Sequence, residues 1–200
     1  NWNSRFTWST SNHDGGAAAS FPTAGDIVYI AGDIVTVTNN AFCTNLIFTS
    51  GYVNGILSVN AGISLTVSGG ITLQSAAGSN TSFSVSGSGQ VLCSSLTAGT
   101  DINPGSNRTT QLTLEISSLN ISGDILVYSN RYSSWFYSYY NNSSLVVNSG
   151  NVRVGGLIET DNENSNNTSS FSLGDGSPYL SVGGVTAFVP DGTGTSTIIL

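Results

Sequence analysis

Pairs of apolar residues, each pair flanking one intervening residue, recur along this chain with a spacing that leaves few folds open. Val35/Val37, Leu65/Val67, Val91/Cys93, Leu119/Ile121, Val152/Val154 and Leu180/Val182 follow one another at roughly 26 to 33 residues. A second series keeps pace: Leu46, Ile71, Leu96, Ile125, Leu157 and Val185. A third runs through Leu57/Val59, Phe83/Val85, Leu112/Leu114, Leu145/Val147, Phe171/Leu173 and Thr197/Ile199. Alternation of period two is the signature of a half-buried strand. Three such segments in every repeat of about 28 residues predict an all-β fold, a parallel β-solenoid with three short strands per coil and about six coils. The general handedness of parallel crossovers predicts a right-handed one. A single coil cannot bury its inward side chains, so the repeat predicts stacking into a rod.

Composition narrows the partners. The formal net charge is −7, and the four basic residues are Arg5, Arg108, Arg131 and Arg153. A nucleic-acid ligand needs a basic stripe that releases counterions, and this chain has none. Anionic membrane surfaces are disfavoured for the same reason. No run of about 18 apolar residues offers a membrane span. Ser, Thr, Asn and Gly abound, which alone would suggest disorder, but the kept alternation argues for strands.

Residues 1–34 stand outside the repeat and read as an N-terminal cap, with 35–200 as the solenoid. Trp2, Phe6, Trp8 and Phe21 give the cap a bulky apolar surface for the first coil. A sugar-stacking site is the alternative reading of those aromatics. No leader is visible before Asn1, which reads as a mature or trimmed start. The apolar run Thr197–Leu200 is expected to continue into further coils or to be covered by another chain. Glycines at Gly69, Gly70, Gly123, Gly155, Gly156, Gly183 and Gly184 follow the first strand of several coils and suggest tight corners with positive φ. The variable lengths fall between the second and third strands, at residues 49–56, 74–82, 98–111, 128–144, 159–170 and 187–195. Those loops are expected on one edge, where repeat proteins commonly carry a binding face.

The densest aromatic cluster lies in one of these loops: Arg131, Tyr132, Trp135, Phe136, Tyr137, Tyr139 and Tyr140. Tyr and Trp offer rigid amphipathic area, and the intervening Ser and Asn offer adaptable hydrogen bonds. The cluster is the candidate partner-binding site, for self-association, for other chains of a surface filament or for glycans. Packing onto the solenoid's own flank is the competing reading. Glu159, Asp161 and Glu163 place carboxylates in the next loop. Ca²⁺ takes six to eight oxygens, but the spacing does not match an EF-hand loop, so the segment reads as a solvated acidic loop with Ca²⁺ as the alternative and no cofactor is expected.

Catalysis has little to build on. His13 beside Asp14 reads as a polar turn, and the remaining acids are scattered rather than paired as polysaccharide cleavage requires. The chain is therefore read as a non-enzyme, with a carbohydrate-binding or carbohydrate-cleaving β-helix as the alternative. Thr36 and Thr38 form a short Thr-x-Thr motif that the following repeats do not continue, which argues against ice binding. Cys43 and Cys93 each stand three residues before a second-strand position, hence at equivalent places two coils apart. Coils stack at about 4.8 Å, giving a Cα separation of about 9–10 Å. A disulfide needs less than about 7 Å, so both are expected as free, buried thiols.

The opening residues carry a resemblance. Trp2–Asn3, Thr7–Trp8, Pro22–Thr23–Ala24–Gly25–Asp26, Thr36–Val37–Thr38 and Ala41–Phe42–Cys43–Thr44–Asn45–Leu46 resemble the start of large secreted, adhesin-like repeat proteins of Bacteroidota. The likeness covers about the first 75 residues and leaves out the aromatic loop. It implies an exported, cell-surface protein, a type IX secretion substrate with adhesive or filament-forming roles, and it carries over no catalytic residue.

Overall fold

A computed structural model describes residues 1–10, 15–49, 52–100, 105–133, 135–162, 166–183, 187–190 and 195–199. The fold is mostly β. Its first strands are short: β1 (Ile27–Ile30), β2 (Ile34–Val37), β3 (Ala41–Cys43), β4 (Asn45–Phe48) and β5 (Asn54–Val59). The middle strands are long because they run around corners: β6 (Ser64–Leu73), β7 (Thr81–Ala98), β8 (Arg108–Ile121), β9 (Ile125–Ser133) and β10 (Ser138–Val154). The last are β11 (Ile158–Asn162), β12 (Thr168–Leu173), β13 (Tyr179–Val182), β14 (Ala187–Pro190) and β15 (Thr195–Ile199). All fifteen belong to one sheet. Among the described residues every pairing is parallel except that of β9 with β10.

The pairing partners lie one sequence repeat apart, so equivalent side chains form columns. The first series pairs as the sequence predicts from Leu65 onward: Leu65 with Val91, Val91 with Leu119, Leu119 with Val152, and Val152 with Leu180. Its start is different. Val35 pairs with Leu57 and so belongs to the third series, while Ala41 pairs with Leu65 and begins the first. An isolated Val-x-Val carries the same pattern on any face, and only the pairing partner distinguishes them. In the second series Ile158, not Leu157, continues the column from Ile125, and Ile158 is the buried one. Val185 lies outside the described residues. At the end of the third series Phe171 pairs with Ile198 rather than Thr197.

One further shift has a steric cause. Leu57 pairs with Val85, two positions past the expected Phe83, and Phe83 instead stands over Gly55. A Cβ on Gly55 would lie 2.6 Å from Phe83 Cδ1. The Phe83 ring fills that space and packs on Phe48, with centroids 5.1 Å apart. An aromatic ring is thereby accommodated without spreading the rungs.

The corners also differ from expectation. Gly69, Gly123, Gly155 and Gly183 do not take positive φ; their lack of a side chain allows close stacking instead. A Cβ on Gly123 would meet the Ser94 carbonyl oxygen at 2.7 Å, and one on Gly183 would meet that of Gly155 at 2.6 Å. Positive φ is found at the turn from third to first strand, at Gly87 (111°) and Gly150 (91°), where a β-branched or bulky residue would be strained. The register slips there too, between Gly87 and Gln90 and between Val147 and Asn151.

The N-terminal segment packs against the first strands. Trp2 is fully buried within the core, and its amide donates to the Thr36 carbonyl at 2.7 Å. Trp8 donates from its indole nitrogen to the Trp2 carbonyl at 2.7 Å and meets the Trp2 ring edge-on at 5.1 Å. One backbone group on the unpaired side of β2, the Thr36 carbonyl, is thus satisfied. Parallel pairing begins inside the segment read as the cap, because β1 pairs with β4.

Between the second and third faces the interior turns polar. Thr81, Thr110, Ser143, Ser169 and Ser196 form one column across β7, β8, β10, β12 and β15. The first four are buried. Ser129 and Asn162 face them from β9 and β11, and both are buried. Thr110, Ser129 and Ser196 bond backbone groups near the long loops, whereas Thr81 Oγ1 and Ser143 Oγ are buried without a hydrogen-bond partner among the described residues. Ser129 accepts from the Ser143 amide at 2.9 Å and donates to the Thr168 carbonyl at 2.7 Å. Asn162 donates to Ser196 at 2.8 Å. A buried backbone polar group without a partner is costly, and short polar side chains supply the partner here.

Candidate functional site

The aromatic segment is a β-hairpin, not a loop. After Ser129 the chain leaves the stack as the end of β9, and it returns as the start of β10. Ser138 pairs with Ser133, Tyr139 with Tyr132, Tyr140 with Arg131 and Asn141 with Asn130, all antiparallel. From Asn141 onward β10 pairs with β8 in parallel, Asn141 opposite Arg108. Asn141 is therefore the junction between stack and hairpin. It is fully buried, accepts from Thr110 Oγ1 at 2.8 Å and donates to the Ala76 carbonyl at 2.8 Å. The Ala76 amide in turn donates to Thr110 Oγ1 at 2.8 Å. Three residues from different rungs thus anchor the hairpin's root.

Further out, Arg131 bridges the two strands. Its guanidinium donates to Ser138 Oγ at 2.9 Å and to Ser133 Oγ at 3.3 Å. Tyr140 accepts from the Asn166 side chain at 2.9 Å, and its amide donates to Asn107 Oδ1 at 3.2 Å. The rings of Tyr137 and Tyr139 stand 4.8 Å apart at 31°. These contacts divide the seven candidates. Arg131, Tyr139 and Tyr140 are half-buried and hold the hairpin's shape, while Tyr132 and Tyr137 are more exposed. Trp135 is 98% and Phe136 93% exposed at the tip. Ser134 lies outside the described residues.

The acidic segment is a strand rather than a loop. Glu159 and Asp161 lie on β11, opposite Leu126 and Tyr128 of β9, with Thr160 buried between them. Both carboxylate residues are half-buried. Glu163 lies outside the described residues, as do His13 and Asp14. Among the described residues no group of three or more His, Cys, Asp and Glu side chains is placed to hold a metal ion.

Cys43 and Cys93 are unbonded and buried, with Val67 between them: Cys43 pairs with Val67, and Val67 with Cys93. Burial pushes both thiols up to about 12, with the Asp26 carboxylate adding to the effect at Cys43. Thiols so far from ionising are poor nucleophiles. Asp26 itself is held below its usual value by hydrogen bonds from the amide and hydroxyl of Thr23, at 2.7 and 2.9 Å.

A second feature was legible only in part, since the sugar-stacking alternative covered Trp8 and Phe21 but not Tyr29 or Tyr52. Where the N-terminal segment crosses β1, an open cleft of about 710 Å³ is lined by Trp8, Tyr29 and Tyr52 among others. Tyr29 occupies an outward position between the buried Val28 and Ile30 and is 56% exposed. An aromatic residue at an outward strand position was the available signal, but it lay in the segment assigned to the cap. No family model, curated protein or solved structure matches this chain.

Proposed function

We propose that the chain is a non-catalytic structural and adhesive element of the cell surface, a right-handed β-solenoid of about six coils within a larger adhesin or filament. The observation that carries this reading is the hairpin tip. Two large aromatic side chains, Trp135 and Phe136, stand almost wholly in solvent on a framework braced by Arg131 and rooted at Asn141. Exposed aromatics on a rigid support bind with little ordering cost, and each can contribute about 2 kcal/mol or more when buried at an interface. Stacked rungs suit a load-bearing spacer, since each contacts only its neighbours. The N-terminal sequence pattern supports export as a type IX secretion substrate of a Bacteroidota cell.

The test is triple replacement of Trp135, Phe136 and Tyr137 by Ser, followed by sedimentation and electron microscopy of assemblies and by cell-adhesion assays. Assembly or adhesion should be lost while the melting temperature holds, because these side chains lie outside the buried columns. Unchanged assembly and adhesion with a lowered melting temperature would mean that the tip serves only its own fold.

A further inference from the structure

We infer that the N-terminal cleft binds a neutral oligosaccharide chain. The inference is independent of the hairpin. The cleft of about 710 Å³ adjoins a second cavity of about 390 Å³, and the two share Trp8, Ser9, Thr10 and Tyr29. The two adjoin at Trp8 and Tyr29, with Phe21 on one cavity's wall and Tyr52 on the other's. Phe21 is 42%, Tyr29 56% and Tyr52 37% exposed. Ligand pockets commonly span about 300–1,000 Å³, so the cleft has room for more than one sugar ring.

The chemistry of the lining selects the ligand class. A pyranose has an apolar C–H face bordered by hydroxyls. Aromatic rings accept the face, and neighbouring hydroxyl and carboxylate oxygens accept the rim. Here Ser9, Thr10, Thr49 and Asp33 line the same cleft as Trp8, Tyr29 and Tyr52. Among the described residues of the lining the ionic ones are Asp33 and Asp26, both acidic, with no Lys or Arg. In a chain of net charge −7 that field repels anionic ligands and leaves neutral sugars. Tyr29 projects from a strand fixed by parallel pairing to β4, and Trp8 is held through its hydrogen bond to Trp2. The platform is therefore built before the ligand arrives, which lowers the ordering cost of binding.

Isothermal titration of the whole chain with cellohexaose, xylohexaose, mannohexaose and chitohexaose, with hexagalacturonate as the charged comparison, tests this. At least one neutral hexamer should bind with a dissociation constant of about 1 mM or below. Tyr29→Thr, which keeps a strand-favouring residue, and Tyr52→Ala should each weaken it about tenfold, the loss of one stacked ring. The triple Ser variant of the hairpin tip should bind as the parent does, so failure here and failure of the adhesive reading are told apart. Absence of binding by all four neutral hexamers, preference for hexagalacturonate, or affinity unchanged in both Tyr variants while circular dichroism shows them folded would each overturn the proposal.

Discussion

At the scale of single residues, the core is set by what each rung places above the next. Cys43 and Cys93 occupy the same column as Val67, Ile121 and Val154, and there they act as small apolar side chains. Their burial has a pH consequence. In the unfolded chain each thiol ionises near its usual value of 9.0, whereas in the fold it does so near 12. Between those values the unfolded state binds fewer protons than the native state, so stability falls as pH rises through the window and is unaffected by the thiols below it. Thermal melts from pH 8 to pH 11 should show a smaller decline for the Cys43→Val, Cys93→Val double variant than for the parent. Equal slopes would show that the thiols do not carry the effect.

At the scale of elements, the hairpin and the buried hydroxyl column explain each other. Excursions between second and third strands take backbone groups out of the ladder, and Thr110, Ser129 and Asn141 satisfy some of them. Asn141 shows the arrangement most fully, since it joins the antiparallel hairpin to the parallel stack and bonds both Thr110 and Ala76. Replacing Asn141 with Leu should strand the Ala76 carbonyl inside the protein and cost about 1–3 kcal/mol. Urea denaturation measures the loss, and limited proteolysis should show faster cleavage within residues 130–141. A variant as stable and protease-resistant as the parent would remove Asn141 from its anchoring role. The hairpin was not visible in the sequence because its paired residues are Tyr, Ser, Asn and Arg, without the apolar alternation that marks a strand facing a core. The stacked columns were visible for the opposite reason.

At the scale of the whole molecule, neighbouring rungs supply nearly all tertiary contact, so stability is expected to vary along the stack. Strands β7 and β8, which pair with rungs on both sides over long stretches, should exchange their amide hydrogens most slowly. Protection should fall toward β1 and toward β15, and uniform protection measured by hydrogen exchange would indicate a single cooperative unit instead. The inward columns of Leu65, Val91, Leu119 and Val152 follow from sequence alone, because side-chain alternation is local and survives in any parallel stack. The face on which Val35 lies, the seating of Phe83 over Gly55 and the use of glycine for close approach at Gly123 do not follow, since each depends on the neighbouring rung. The same holds for function. The sequence locates a dense aromatic segment, but the fold decides that Tyr139 and Tyr140 brace it while Trp135 and Phe136 face solvent. It is also the fold that brings Trp8 and Tyr29 to one cleft, because exposure belongs to the packed chain and not to any residue within it.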